Sequence, residues 1–307
     1  MGKPGIDVPA FDVIVCGSLH LDVMVYAPHL PRLDETAVGA AWGTVCGGKG
    51  GNQAEMAARL GARTAMIGRV GNDDFGAQLR ANLAANNVDL SAVGADPARG
   101  SGMSVAIQQP DGNYGAVIVS GANLGLDPAA CCASLAKFAG AKVLVLQNEI
   151  PAPVNAAMAK AARGLHVVFN AAPARAMDPD LLAHVTTLVV NRVEAEMISG
   201  QAVSGMDSAL AALPALGGGQ RSVIITLGGE GLVLQAKGGA PQTIMAHRVT
   251  PVSTHGAGDC FVGALACQLA RGAPLTDAAV YANRAAATLV ALTRAERAGF
   301  GAGKVMQ

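Results

Sequence analysis

The chain has 307 residues, and Lys+Arg and Asp+Glu both number 22, so its formal net charge is zero. Apolar residues make up 51% and charged residues 14%, a balance that excludes a disordered chain and leaves enough for a large buried core. Without a block of like charges a nucleic-acid partner is not expected, and without a run of roughly 18 uncharged apolar residues neither is a membrane helix.

Asp12-Val13-Ile14-Val15-Cys16-Gly17 is a short β-branched run ending in glycine and reads as a buried strand. Residues 20–46, which include Pro28 and Pro31, read as short strands and loops outside the main core. A helix is expected over 52–60, a strand over 64–70, and an amphipathic helix over 73–86 with Phe75, Leu79 and Leu83 at helical spacing. The apolar runs 103–107 and 114–119 flank Pro110-Asp111-Gly112-Asn113, and Asp-Gly in that position signals a hairpin.

Alternation then becomes regular. Strands are expected over 142–147, 166–170, 187–191 and 222–227, with helices over 153–163, 194–199, 207–216, 257–271 and 276–292. Strands alternating with helices imply a parallel sheet covered on both faces, with ligands beyond the carboxyl ends of the strands. The irregular early segment and the 103–119 hairpin are expected to pair as a small flap over that edge. No linker, repeat or low-complexity tail divides the chain.

Two glycine stretches carry the chemistry, each standing before a predicted helix. The first is Gly47-Gly48-Lys49-Gly50-Gly51-Asn52-Gln53-Ala54; the second is Ser253-Thr254-His255-Gly256-Ala257-Gly258-Asp259-Cys260. A helix start offers free N–H groups and a partial positive charge, a setting suited to phosphate. The first stretch nearly matches a Walker A loop, but Gly50 follows the lysine where Ser or Thr should hold magnesium, and no G-x-G-x-x-G fingerprint occurs. What remains is a turn presenting a cation and an amide, Lys49 and Asn52, suited to the hydroxyls of a polyol, or simply a structural turn. In the second stretch Gly256, Ala257 and Gly258 can point successive N–H groups at one oxyanion, and Asp259 can take a proton or merely cap the helix. One polar-ligand site and one phosphate site together suggest phosphoryl transfer.

The two stretches together resemble the signatures of the ribokinase-like (PfkB) family of carbohydrate kinases, and the likeness is nearest to its ribose-phosphorylating members. Smaller matches lie in order around them. Gly17-Ser18-Leu19-His20-Leu21-Asp22, Gln147-Asn148-Glu149, Asn170-Ala171-Ala172-Pro173-Ala174-Arg175, Asn191-x-x-Glu194 and Thr226-Leu227-Gly228-Gly229-Glu230-Gly231 all resemble family stretches, so the likeness spans residues 12 to 294.

The resemblance implies a three-layer α/β/α fold with a mostly parallel sheet, one kinase domain over 10–299, and a β-strand lid formed by about 20–46 and 102–119. It implies transfer of the γ-phosphate of ATP to a primary hydroxyl of a pentose, ribose being the first choice. A ketohexose, 2-deoxyribose or nucleoside acceptor stays open, as does a sugar or nucleotide sensor without turnover. Asp259 would be the general base, and Gly256, Ala257 and Gly258 the anion hole. His20, Asp22, Gly48, Lys49, Asn52 and Glu149 would bind the sugar. Asn191, Thr226, Gly228, Gly231, Gly258 and Asn283 would hold the nucleotide, and Glu194 would organise Mg²⁺ through water. A homodimer through the lid strands is expected. An aromatic platform for a nucleoside could come only from Trp42, Tyr26 and Tyr114, and Trp42 is read first as a packing residue.

Departures from the family pattern matter too. His20 stands where an Asn is usual, so the identity of the sugar is open. Ser253 replaces an aspartate that helps hold an activating monovalent cation, and Thr293-Arg294-Ala295-Glu296-Arg297-Ala298-Gly299 lacks the usual pattern; weak or absent potassium activation is expected. His255 is assigned no chemistry, and the family's final helix is not expected.

The six cysteines, Cys16, Cys46, Cys131, Cys132, Cys260 and Cys267, form no C-x-x-C pair, and several lie in apolar runs as small hydrophobes. Cys131 and Cys132 read as neighbours on a helix, and Cys260 as a packing residue. A reducing cytoplasm fits best, and residues 1–9 lack the apolar stretch of a secretory signal.

Overall fold

The computed structural model describes residues 11–110, 113–138 and 140–306. In chain order the strands are β1 (Val13–Cys16), β2 (His20–Tyr26), β3 (Ala41–Gly47), β4 (Thr64–Gly71), β5 (Asp89–Asp96), β6 (Gly102–Gln108), β7 (Tyr114–Val119), β8 (Val143–Gln147), β9 (His166–Asn170), β10 (Thr187–Asn191), β11 (Ser222–Thr226), β12 (Gly231–Gln235) and β13 (Pro241–Met245). The helices are α1 (Lys49–Arg59), α2 (Asp74–Ala85), α3 (Pro128–Leu135), α4 (Ala152–Ala161), α5 (Pro179–Leu182), α6 (Arg192–Ser199), α7 (Met206–Ala212), α8 (Ala257–Ala270), α9 (Leu275–Ala291) and α10 (Arg294–Arg297).

The larger sheet has the order β13-β12-β11-β10-β9-β8-β1-β4-β5. Every pair from β5 to β11 is parallel, and only β11–β12 and β12–β13 are antiparallel. Side chains alternate across it: Val13 and Val15 enter one apolar cluster with α1, α8 and α9, while Ile14 and Cys16 enter another with α3, α4 and α7. Both faces are therefore covered, and this is the three-layer α/β/α arrangement expected from the alternating pattern.

The smaller sheet has the order β3-β2-β6-β7. The expected hairpin is present, with β6 and β7 antiparallel from Met103↔Val119 to Gln108↔Tyr114, and β2 pairs β6 in parallel. Residues 111 and 112 of its turn lie outside the described residues, as do residues 1–9.

The sequence reading missed three strands. β5 is an edge strand with a mixed polar surface, and β13 is an exposed edge, so neither carries an apolar run. The buried β12 begins at Gly231, the last residue of a stretch read only as a loop. The expected helix over 207–216 stops at Ala212, and Pro214, which has no N–H to donate, opens a short 3-10 turn.

The helix expected from residue 52 begins at Lys49, so the first glycine stretch is the opening turn of α1 rather than a loop before it. Gly50 makes this possible by close approach: a Cβ there would stand 2.6 Å from the Ser18 nitrogen. Gly51 N–H donates to the Ser18 carbonyl at 2.9 Å, which presses the helix onto the turn after β1. A second close approach joins the two motif helices, because a Cβ on Gly263 of α8 would lie 2.7 Å from Met56 Cβ and 2.8 Å from the Gln53 carbonyl of α1.

All six cysteines are free thiols. Cys131 and Cys132 lie on α3, as expected. Cys260 is fully buried and its thiol is pushed up to about 12 by burial and then by the Asp259 charge, so it packs rather than reacts. Trp42 does not pack: it is 73% exposed on β3. No helix among the described residues is long and apolar enough to cross a membrane.

Candidate active site

The carboxyl ends of β1, β8, β9, β10 and β11 carry Gly17, Glu149, Asn170, Asn191 and Thr226, all on one edge of the sheet. That edge is where open α/β sheets bind ligands. The N-termini of α1 and α8 converge beside it.

Asp259 sits in the first turn of α8, after Gly256 at the cap and Ala257 and Gly258 at the first two helical positions. Two residues of α1 hold its carboxylate. Asn52 Nδ2 donates to Oδ2 at 3.0 Å and Gln53 Nε2 to Oδ1 at 2.9 Å. The same Gln53 nitrogen donates to Asn170 Oδ1 at 3.0 Å. Burial raises the Asp259 pKa above the usual aspartate value; the Lys49 charge and the two amide donors act against that rise, and Glu149 adds to it. A carboxylate with a raised pKa, held at a helix N-terminus, is suited to accept a proton.

Polar side chains gather near Asp259, whose pKa the Glu149 charge raises. Glu149 Oε2 accepts from Ser18 Oγ at 2.5 Å and from the Lys49 N–H at 2.8 Å, and His20 Nδ1 stands 3.7 Å from it. His20 is 4% exposed, and its Nε2 has no partner among the described residues. Asp22 Oδ1 accepts from the buried Ser104 Oγ at 2.5 Å, across the β2–β6 pairing. Gly48 caps α1 between these two carboxylates in sequence.

Beside Gly258, the residue before Asp259, is a cavity of about 860 Å³, lined by Asn191, Thr226, Gly228, Gly231, Gly258 and Asn283 among others. All six residues expected to hold a nucleotide thus face one space. Asn283 Nδ2 donates to the Met245 carbonyl at 2.8 Å, which leaves its amide oxygen as the free acceptor. The apolar side of the cavity comes from Phe261, Ala286, Ala287 and Val290 of α8 and α9.

Asn191 and Glu194 form a reciprocal cap on α6. Glu194 N–H donates to Asn191 Oδ1 at 2.9 Å, and Asn191 N–H donates to Glu194 Oε2 at 2.8 Å. The cap fixes a carboxylate whose other oxygen makes no hydrogen bond among the described residues. Burial raises the Glu194 pKa, against the Asn191 N–H and the Lys49 charge. No group of three or more His, Cys, Asp and Glu among the described residues could cage a metal. One carboxylate with substrate phosphates and water is the usual magnesium set, and Glu194 fits it.

Ser18, Gln53 and Ser104 were not singled out from the sequence. Each was visible as a polar residue beside a named one, but serine and glutamine in such runs are common and only the pairing partner gives them meaning. Ser253 and His255 are exposed, and the three backbone carbonyls at 253, 255 and 292 accept from Arg297.

A family model described as pfkB family carbohydrate kinase matches residues 10–297. The chain is 38% identical to a ribokinase of Mus musculus over 274 residues, covering 88% of this chain and 85% of the relative. It is 34% identical to a ribokinase of Bacillus subtilis, covering 91% and 92%. A solved structure of Arabidopsis thaliana ribokinase complexed with ribose and ATP superposes with a TM-score of 0.87 at 26% identity, covering 96% of each chain.

Proposed function

The chain belongs to the pfkB family of carbohydrate kinases and is an ATP-dependent sugar kinase; we propose that it transfers the γ-phosphoryl group to a primary hydroxyl of ribose. The observation that carries this reading is the position of Asp259. Residues of the first glycine motif hold it at the helix start of the second, next to Ala257 and Gly258, which line the large cavity.

In this reading the sugar lies among His20, Asp22, Gly48, Lys49, Asn52 and Glu149. Their carboxylates accept from hydroxyls and the Asn52 amide donates to them, and the Lys49 charge lies near the Asp259 and Glu194 carboxylates. Asp259 takes the proton of the attacking hydroxyl. The N–H groups at Gly256 and Gly258 would face the charge that develops on the transferred group, whereas that of Ala257, expected in the same set, donates to the Thr254 carbonyl at 3.2 Å. The nucleotide occupies the cavity, its phosphates toward Thr226, Gly228, Gly231 and Gly258, with Asn283 beside the base. Glu194, fixed by Asn191, would hold Mg²⁺ through water, and the ion would neutralise phosphate charge. The smaller sheet, β2, β3, β6 and β7, would act as a lid that excludes water, the competing acceptor.

A second acceptor is favoured by one observation. His20 places a buried imidazole with an unpartnered Nε2 beside Glu149. It is bulkier than an amide and selects among hydroxyl patterns, so 2-deoxyribose or a ketohexose is the alternative. A homodimer through the lid is supported by Val117, Ile118 and Val119 on the edge strand β7, which are 68%, 63% and 51% exposed.

The test is ATP-dependent ADP release with Mg²⁺ against pentoses, ketohexoses and nucleosides. Turnover on ribose well above the others is the expected result. Turnover only on another acceptor moves the substrate and points to His20. Binding of sugar without turnover on any acceptor would replace the kinase by a sensor.

A further inference from the structure

Arg297 ends α10, and its guanidinium is spent entirely on main-chain oxygens. Nη2 donates to the Ser253 carbonyl, Nη1 to the His255 carbonyl at 2.9 Å, and Nε to the Leu292 carbonyl at 3.2 Å. The His255 carbonyl is one residue before Gly256, the cap of α8. The loop is otherwise tied by its 252 and 253 N–H groups, which both donate to the Val290 carbonyl at 2.8 and 3.2 Å, by the Ala257 N–H, which donates to the Thr254 carbonyl at 3.2 Å, and by a longer bond of 3.4 Å from the His255 N–H to Ser253 Oγ.

The same C-terminal segment grips α1. Arg59 donates through Nη2 to the carbonyls of Arg297 and Ala298, the latter at 2.6 Å, and through Nε to the Phe300 carbonyl at 2.9 Å. Arg59 is fixed in turn by Glu55 at 3.0 Å, and Glu55 by Asn82 Nδ2 at 2.8 Å. Arg59 lies on the helix that carries Asn52 and Gln53. Two arginines therefore link the helix that holds the Asp259 carboxylate to the loop that leads into Asp259.

Three carbonyl oxygens converging on one positive charge form the donor set with which proteins hold hard cations. We propose that Arg297 is a tethered cation, a positioning residue that fixes the 253–256 loop and with it the N–H groups and Asp259 at the start of α8. This rests on the kinase reading of that site. A covalent cation at this point leaves no place for an exchangeable one, so the enzyme needs no monovalent ion. It also explains how a loop with Ser253, which has no carboxylate, keeps its shape.

The experiment uses the full chain in potassium-free buffer. The wild type is expected to show the same kcat with and without K⁺. Arg297→Ala is expected to lose kcat on the order of 100-fold, as a displaced catalytic group does, with KM for the sugar little changed. Millimolar guanidinium or K⁺ is expected to restore at least about tenfold of that loss, because either ion can refill the carbonyl site. Arg297→Lys, which keeps the charge and loses the fork, is expected to fall between the two. Wild-type kcat in Arg297→Ala, a loss that neither ion recovers while the circular dichroism spectrum is native, or several-fold K⁺ stimulation of the wild type overturns the proposal. If the wild type turns over no acceptor, the kinase reading fails, and MgADP affinity becomes the readout. Equal affinity in wild type and Arg297→Ala then overturns the tethered cation.

Discussion

Gln53 holds Asp259 from the opposite motif: its Nε2 donates 2.9 Å to Oδ1, and the same nitrogen reaches Asn170 Oδ1 at 3.0 Å. The carboxylate is thereby aligned by a side chain that itself touches no predicted ligand position. Gln53→Leu keeps the volume and removes the donor. A hydrogen bond to a charged group is worth about 1.5–3 kcal/mol, so kcat should fall roughly 10- to 100-fold with ATP affinity kept. Steady-state kinetics with calorimetric ATP binding checks this; an unchanged kcat would mean that Asp259 needs no such alignment.

Asp259→Asn removes only the base. Turnover should fall by about 10²- to 10⁴-fold while sugar and ATP still bind. Activity near the wild-type level would refute Asp259 as the proton acceptor.

Lys49 lowers the pKa of both Asp259 and Glu194, while burial raises both. A base with a raised pKa is protonated and inactive over a wider acidic range, so the acid limb of kcat/KM should lie above the usual aspartate value of 3.8. Lys49→Met removes the opposing charge and should move that limb to higher pH. The sign for stability follows as well. The folded pKa of Asp259 exceeds its unfolded one, so its contribution is full below the unfolded value and is lost as pH rises through the folded one. A pH–rate profile in which Lys49→Met shifts the limb downward would contradict the electrostatic account.

Gly263 sets the spacing of α1 and α8. Gly263→Ala forces Met56 and the Gln53 backbone away, an overpacking that costs about 1–3 kcal/mol. Both a lower midpoint of thermal unfolding and a lower kcat are expected, since the shift also moves Gln53 from Asp259. A variant with wild-type melting would show that the two helices separate freely.

The dimer reading is checked by Val117→Lys with Val119→Lys on the edge strand β7. Charge on an edge strand opposes pairing, so analytical ultracentrifugation should show a monomer where the wild type sediments as a dimer. A wild-type monomer would end that reading.

The central layers were legible because β1, β8, β9, β10 and β11 are short β-branched runs bounded by glycine or polar residues, and the helices between them keep apolar spacing. The edges β5 and β13 were not, because a strand that packs on one side only carries no apolar run. At the site, Asp259, Lys49 and Asn52 were legible from spacing within the two motifs, and their convergence follows from the sheet order. Gln53 and Ser104 were not, since what matters in each is a partner distant in the chain. Arg297 was visible only as a break in a pattern; that its guanidinium fills the gap depends on three carbonyl directions, which no residue type encodes. Trp42 was misread because an aromatic in an apolar strand usually finds a partner, and here the outer face of the smaller sheet is open.

That smaller sheet is rooted at one end. β2 starts at His20, four positions after β1 ends at Cys16, and β3 ends at Gly47, two positions before α1 begins at Lys49. His20 and Asp22 thus sit near a fulcrum, while Trp42 lies five residues up β3, about 16 Å along the strand. A rotation of roughly 10° at the root would leave the sugar-facing side chains almost in place and carry the tip through about 3 Å. The sole tryptophan of the chain stands near that tip, 73% exposed, so the protein carries its own fluorescent pointer for the angle of the sheet.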